Sequence, residues 1–454
     1  MVNGGVSFWL AQLGSTAPRE PLAGSTSVDV CIVGAGLTGL WTAYYLKRAE
    51  PSLSIAIVEQ RFAGFGASGR NGGWLSATVA GSLDRYAARR GVDAARSLQR
   101  AMVDGVDEVI RVARQEGIDA DIIKGGVLRI ARTSSQLHRL RVTGESADRW
   151  GDAQVNLSAD ETRERVNVAG VVGATFSANG ARLQPAKLVR ALAHVVERSG
   201  VSIYESTRVS EIRPREVMTG TGVVTAPIVI RATEGFTASL PGLRRRWLPM
   251  NSSMIVTAPL DATTWDEIGW GNYETLGDTA HAFMYAQRTA DGRIAIGGRG
   301  VPYRYGSRVD RNGETSPMTV TQLRRALTDL FPGLSDVPVH HAWSGVLGVP
   351  RDWCATVEFD PTTGLGAAGG YAGHGVTATN LAGRTLRDLI VGDDTPLTHL
   401  PWVNWRTRPW EPEPWRWLGV RSLYLAYRAA DRTEASGRST TSHLARAADF
   451  ISGR

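Results

Sequence analysis

The chain has 454 residues, of which 43% are hydrophobic and 21% charged, with a formal net charge of +7 and two cysteines, Cys31 and Cys354. That composition describes a globular chain of about two or three domains, too poor in cysteine for a disulfide framework and suited to a reducing cytoplasm, where we expect it. The positive charge is nearly all arginine, with lysines only at 47, 124 and 187, and it gathers on no recognisable nucleic-acid module.

In chain order, the opening MVNGGVSFWLAQLG lacks the basic start and apolar core of a signal peptide, and no apolar run reaches the length of a membrane span. Val28 to Val33 reads as a strand that feeds Gly34-Ala35-Gly36-Leu37-Thr38-Gly39, after which apolar residues at 37, 40, 41, 44 and 45 follow a helical spacing. Strand, GxGxxG and helix together predict a dinucleotide site. The first glycine permits the turn, the second lets backbone approach a pyrophosphate, the third lets helix and strand pack, and the helix N-terminus offers N–H groups to phosphate. A second strand, Ser54 to Val58, ends in Glu59, where an acid that takes ribose hydroxyls belongs and where a 2′-phosphate is disfavoured. Next comes Gly66-Ala67-Ser68-Gly69-Arg70-Asn71-Gly72-Gly73, too rich in glycine and polar donors for a core.

A helix is predicted over 93–116, stopped at Gly117, and a strand over 126–131. Pro185 opens a helix with Leu188, Val189, Leu192, Val195 and Val196 on one face, followed by strands at 201–204, 207–212 and 228–231. Asp291-Gly292 between 283–287 and 293–297 is a hairpin signal, and another helix is expected near 321–330. Gly366 to Gly383, GAAGGYAGHGVTATNLAG, leads into a helix over 384–390. Five of the 14 tryptophans crowd the tail at 402, 405, 410, 415 and 417, ahead of an amphipathic helix that faces its own domain, a membrane surface or a partner.

The GASGRNGG loop resembles the one over the isoalloxazine in flavoenzymes of the D-amino acid oxidase and glycine oxidase superfamily. Within it, SGRNGG is similar to the bacterial γ-glutamylputrescine oxidase-like branch, and GYAGHG resembles the family's closing flavin segment. The resemblance implies an α/β glutathione-reductase-like Rossmann FAD domain (28–83, 166–243 and 336–395), α+β overall. An antiparallel-sheet substrate domain (84–165 and 244–335) and a Trp/Pro-rich helical extension (396–454) complete it. It implies non-covalent FAD held at Gly34, Gly36, Leu37, Thr38, Gly39, Glu59, Gln60 and Arg61, and at Ala67, Ser68, Arg70, Asn71, Gly72 and Gly73. Further contacts fall on Val209, Thr233, Gly235 and Gly345, then on Gly370, Gly373, His374, Gly375, Val376 and Thr377. Glu234 departs from the family pattern.

The implied activity is oxidation of a primary or secondary amine, an amino acid or polyamine derivative. Hydride passes to flavin N5, the imine hydrolyses, and oxygen or another acceptor takes the electrons. Two alternatives stay open: a 2-hydroxy acid dehydrogenase of the same fold, and a non-catalytic flavin- or partner-binding protein. Candidate catalytic residues are Arg299, as an oxygen-activating cation or a surface arginine, and His374, as a flavin neighbour or a turn histidine. Tyr285 and Arg351 join them, the latter as a bidentate carboxylate ligand. Trp74, Tyr371, Trp270 and Tyr273 are candidate pocket aromatics. Cys354 is either a buried thiol or a covalent flavin attachment point. No metal site is expected.

Overall fold

The computed structural model describes the chain except for residues 15–16, 299–302, 310–311, 437–439 and 454. Strands Ser202–Tyr204, Ile55–Val58, Val30–Val33, Ile228–Arg231, Leu365–Gly369 and Thr356–Asp360 lie side by side in that order; all pair in parallel except the last. A parallel sheet needs cover on both faces, and strand alternation supplies apolar side chains to each. Val30 and Ile32 face one core with helices Leu37–Ala49, Val92–Gln115, Pro185–Arg198 and Gly375–Val391, while Cys31 and Val33 face a second core with Val217 and Val224 of a small four-stranded sheet.

Among the described residues the larger sheet has nine strands. Its central order is Val339–Val349, Leu248–Thr257, Ile294–Gly298, Met284–Arg288, Thr275–Asp278, Val127–Ala131 and Gly173–Ser177, with short strands at both edges. The Asp291-Gly292 hairpin is in place, joining two antiparallel strands. Leu128, Leu276, Ala286, Ile294 and Ile296 pack under helix Pro317–Leu330. Residues between them in each strand, such as Arg129, Gly277 and Tyr285, therefore face the other way, towards the six-stranded sheet side.

The segment boundaries need correction. Val339–Val349 and Gly173–Ser177 belong to the nine-stranded sheet, not to the dinucleotide unit, and Val92–Gln115 packs into the core of the dinucleotide unit through Leu98, Met102 and Val106. Alternation and helical period report which face is apolar, not which partner covers it. The tail folds back: Trp402 and Trp405 enter the dinucleotide-side core, and Trp410 and Val420 pack with Leu248, Met250 and Tyr303. No helix among the described residues is long and apolar enough to cross a membrane.

Candidate functional site

The Gly34–Gly39 turn sits where strand Val30–Val33 meets helix Leu37–Ala49. Gly34 has φ +110°, and a Cβ on Gly39 would lie 2.1 Å from the Gly34 carbonyl oxygen, so these two glycines set how closely helix and strand approach. Gly36 faces Ser68, whose Oγ accepts the Leu37 N–H at 2.9 Å; this bond ties the second glycine loop to the first. Asn71 shapes the second loop from within, donating to the Ala67 and Ser68 carbonyls and accepting the Gly73 N–H at 2.8 Å.

An elongated cavity runs from this turn. Gly34, Gly36, Leu37 and Thr38 line it with Glu59, Gln60, Arg61, Ala67, Ser68 and Asn71; its other walls are Val209, Thr233 and Gly235, and Gly373, Gly375 and Val376 at its far end. Burial raises the Glu59 pKa, and the N–H groups of Ala35 and Arg61, each at 2.9 Å, offset part of that cost. Helix Gly375–Val391 points its N-terminus into this region with no side chain capping it, so its first N–H groups and positive dipole end are available to an anionic oxygen. The Thr377 hydroxyl beside it is buried with no hydrogen-bond partner among the described residues.

A second cavity, about 470 Å³, adjoins the first and shares Ala67, Asn71, Leu347, Gly373 and Val376 with it. Tyr285, Trp74, Phe283 and Met284 wall it, with Arg70, Gly72, Gly345, His374 and Thr377 on the flavin-loop side. Tyr285 bonds through its hydroxyl to Ser252 Oγ at 2.8 Å and meets Trp74 edge to face.

Residues 29–389 match the family model of FAD dependent oxidoreductases of the DAO type. The chain belongs to that family. It is 31% identical over 419 residues to gamma-glutamylputrescine oxidoreductase of Escherichia coli (strain K12), covering 88% of this chain and 94% of the relative. A glycine oxidase of Bacillus licheniformis is 24% identical over 80% of this chain and 93% of its own length. The crystal structure of glycine oxidase from Geobacillus kaustophilus shares the fold, with a TM-score of 0.68, 22% identity and coverage of 84% of this chain and 99% of that one.

FAD is the cofactor of this oxidoreductase family, and the residues present fit it. A glycine cradle and a half-buried carboxylate at the end of the second strand stand along the first cavity, and the orphaned Thr377 hydroxyl lies beside the uncapped helix N-terminus on the wall of the second. Several expected residues lie elsewhere. Gly39, Gly73 and Gly370 wall neither cavity: Gly39 packs on Gly34, Gly73 accepts the Leu183 N–H, and Gly370 donates to Glu234. Arg351 is not a substrate ligand. It pairs with Glu411 at 3.1 Å and donates to the Ile451 and Ser452 carbonyls, so it anchors the tail.

Trp270 is buried against Phe331 in the large-sheet core, and Tyr273 lies under Arg182 and Arg288, so neither lines the pocket; Tyr371 lines the cofactor cavity, bonded to Thr38. Cys354 is buried against Gly81 and walls neither cavity, so it is not placed for covalent attachment, and burial pushes its thiol up to about 12. Arg299 lies outside the described residues. Sequence reasoning missed Glu234 as a structural pin, and Arg129, Asp278 and Asp449 as cavity walls. The departure at 234 was a usable signal; a lone arginine in an apolar strand was another.

Proposed function

We propose that this FAD-dependent oxidoreductase oxidises a primary or secondary amine at the carbon bearing nitrogen, giving an imine that hydrolyses, with oxygen or another acceptor taking up the electrons. One observation carries the reading: a cavity with an apolar wall of Trp74, Tyr285, Phe283 and Met284 opens directly onto the cofactor cavity through Ala67, Asn71, Leu347, Gly373 and Val376. When bound, the flavin supplies the hydride acceptor. The chain's share is alignment and protonation state. Trp74, Tyr285, Phe283 and Met284 exclude water and disfavour an ammonium beside them, which selects the neutral amine. The Tyr285–Ser252 bond fixes the phenol that borders the reacting end. Relatives named gamma-glutamylputrescine oxidoreductase, glycine oxidase and sarcosine oxidase subunit beta support an amine or amino acid as substrate, with γ-glutamylputrescine among the candidates.

Anaerobic flavin reduction across amines, amino acids and 2-hydroxy acids tests this. We expect bleaching with amines. Bleaching with 2-hydroxy acids and never with amines overturns the reading, and peroxide release on admitting air separates oxygen from another acceptor.

A further inference from the structure

We propose that the outward faces of the two tail helices, Trp415–Ala435 and His443–Ser452, seat the protein on an anionic lipid bilayer. Phe450 and Ile451 enter the acyl boundary, and the arginines around them bind lipid phosphates. The inference goes beyond the amine reading and does not depend on which substrate the second cavity takes.

Each helix has one face covered by its own chain and a second apolar stripe that is not. Helix His443–Ser452 buries Ala445, Ala448 and Ser452; at helical spacing Phe450 falls on the opposite face, with Leu444 and Ile451 along one edge and Arg446 along the other. Phe450 is 89% exposed and Ile451 59%. Helix Trp415–Ala435 buries Val420, Tyr427 and Ala430, and turns Trp415, Leu418 and Leu425 outwards on the far side. Of the fourteen large apolar residues exposed among the described residues, these two helices carry six, so the exposure is gathered and not scattered. A helix pair that only capped its own domain would present polar residues there.

The charges sort by face. All three acids of the two helices are engaged inwards: Asp431 accepts the N–H groups of His281 and Ala282, Glu434 takes Arg139 and His281, and Asp449 accepts the Tyr427 hydroxyl at 2.8 Å. The exposed charges are arginines. Arg421 and Arg432 flank the stripe of Leu418 and Leu425, and Arg446 stands one turn before Phe450. The end of helix His443–Ser452 rests on two more: Arg351 donates to the Ile451 carbonyl at 3.1 Å and Arg85 to the Gly453 carbonyl at 3.0 Å. One turn beyond Arg85, the exposed Arg89 donates to the carbonyl of the exposed Arg406 at 3.0 Å. Apolar side chains fringed by guanidinium groups match an acyl boundary under a layer of anionic head groups, and the guanidinium fork suits phosphate. A second copy of the chain is a poor occupant, because a two-fold contact would set these arginines against each other. The inner side of helix His443–Ser452 carries Asp449 into the wall of the second cavity, so one helix would hold the bilayer on one face and that cavity on the other.

The experiment sediments the full-length, FAD-loaded protein with vesicles of phosphatidylcholine, with and without phosphatidylglycerol. We expect at least about tenfold stronger partitioning onto the anionic vesicles, weakening as salt is raised. A chain with a net charge of +7 is drawn to any anionic surface, so the deciding variant leaves the charge unchanged. Phe450→Ser combined with Ile451→Ser should cut partitioning by about tenfold or more, with the flavin absorbance and melting temperature of wild type, since both side chains are exposed. A second measurement reads depth. Cys31 and Cys354 are buried, so Phe450→Cys takes an environment-sensitive dye at one place, and its emission should move to the blue on anionic vesicles. Binding that survives the double substitution, a dye at 450 that stays in water, or equal binding to both kinds of vesicle overturns the proposal. So does a chain that self-associates in solution and loses its dimer, but not its vesicle binding, with Phe450 and Ile451.

Discussion

Glu234 is held with both carboxylate oxygens on backbone, accepting the Gly348 N–H at 3.1 Å and the Gly370 N–H at 2.8 Å. It therefore pins the end of a large-sheet strand to the glycine turn before helix Gly375–Val391, across the wall of the cofactor cavity. Burial raises its pKa to about 7 in spite of those donors. A carboxyl raised in the folded state favours folding below the unfolded value near 4.5, and that contribution is lost as pH rises through about 7. Glu234→Gln removes the titration and one acceptor, so we expect a variant less stable than wild type in acid whose deficit narrows towards pH about 8. Thermal melts at several pH values check this; a deficit constant with pH counts against it. Gly36 makes a second residue-scale prediction. Its missing Cβ leaves room beside Ser68 Oγ, 3.0 Å from where a Cβ would stand, and Gly36→Val should purify without visible flavin absorbance. Stoichiometric FAD in that variant would refute the cradle.

Among the elements, the tail is joined to the substrate-side sheet by one charged cluster. Glu434 of helix Trp415–Ala435 takes Arg139 at 2.6 Å and His281 at 3.0 Å, together with the Ser442 N–H at 2.8 Å, while Asp431 accepts the N–H groups of His281 and Ala282. Burial alone would raise the Glu434 pKa, but these donors outweigh it and hold it at about 2. The stabilisation is complete above the unfolded value near 4.5 and is lost as pH falls towards about 2. Asp449 of the last helix lines the second cavity, as does His281, so a loosened tail also opens that cavity. We expect wild type to lose tail docking across this acid range, read by limited proteolysis, and Glu434→Gln to be cleaved readily at neutral pH with little further change in acid. The tail helix was legible because Trp417, Val420, Tyr424 and Tyr427 recur on one face, and that face is the covered one. Helix Ser134–Trp150 was not, since its sequence, SSQLHRLRVTGESADRW, buries only four residues and carries no apolar stripe.

At the scale of the whole molecule, what could be read locally and what could not divide along sequence separation. The turn at Gly34, the strand ending in Glu59 and the hairpin at Asp291-Gly292 are each specified by neighbours a few residues away. Whether Val339–Val349 joins one sheet or the other is decided by partners about a hundred residues distant, as is the burial of Arg351 under the tail. The cofactor cavity is the most non-local feature of all. Its walls come from the first βαβ unit, from the 207–209 and 232–240 segments, from strand Val339–Val349 of the large sheet and from the start of the last family helix. That cavity lies along the seam between the two sheets, with the Glu234 pin bridging across it. FAD binds the folded chain alone, so apparent stability should climb by about 1.4 kcal/mol for each tenfold rise in free FAD above Kd. The apo form should melt lower and release hydrogen-exchange protection first at 66–73 and 371–377, on both sides of the seam. A melting temperature indifferent to FAD, or loss of protection confined to the first βαβ unit, would mean that the cofactor is held by one sheet and does not join the two.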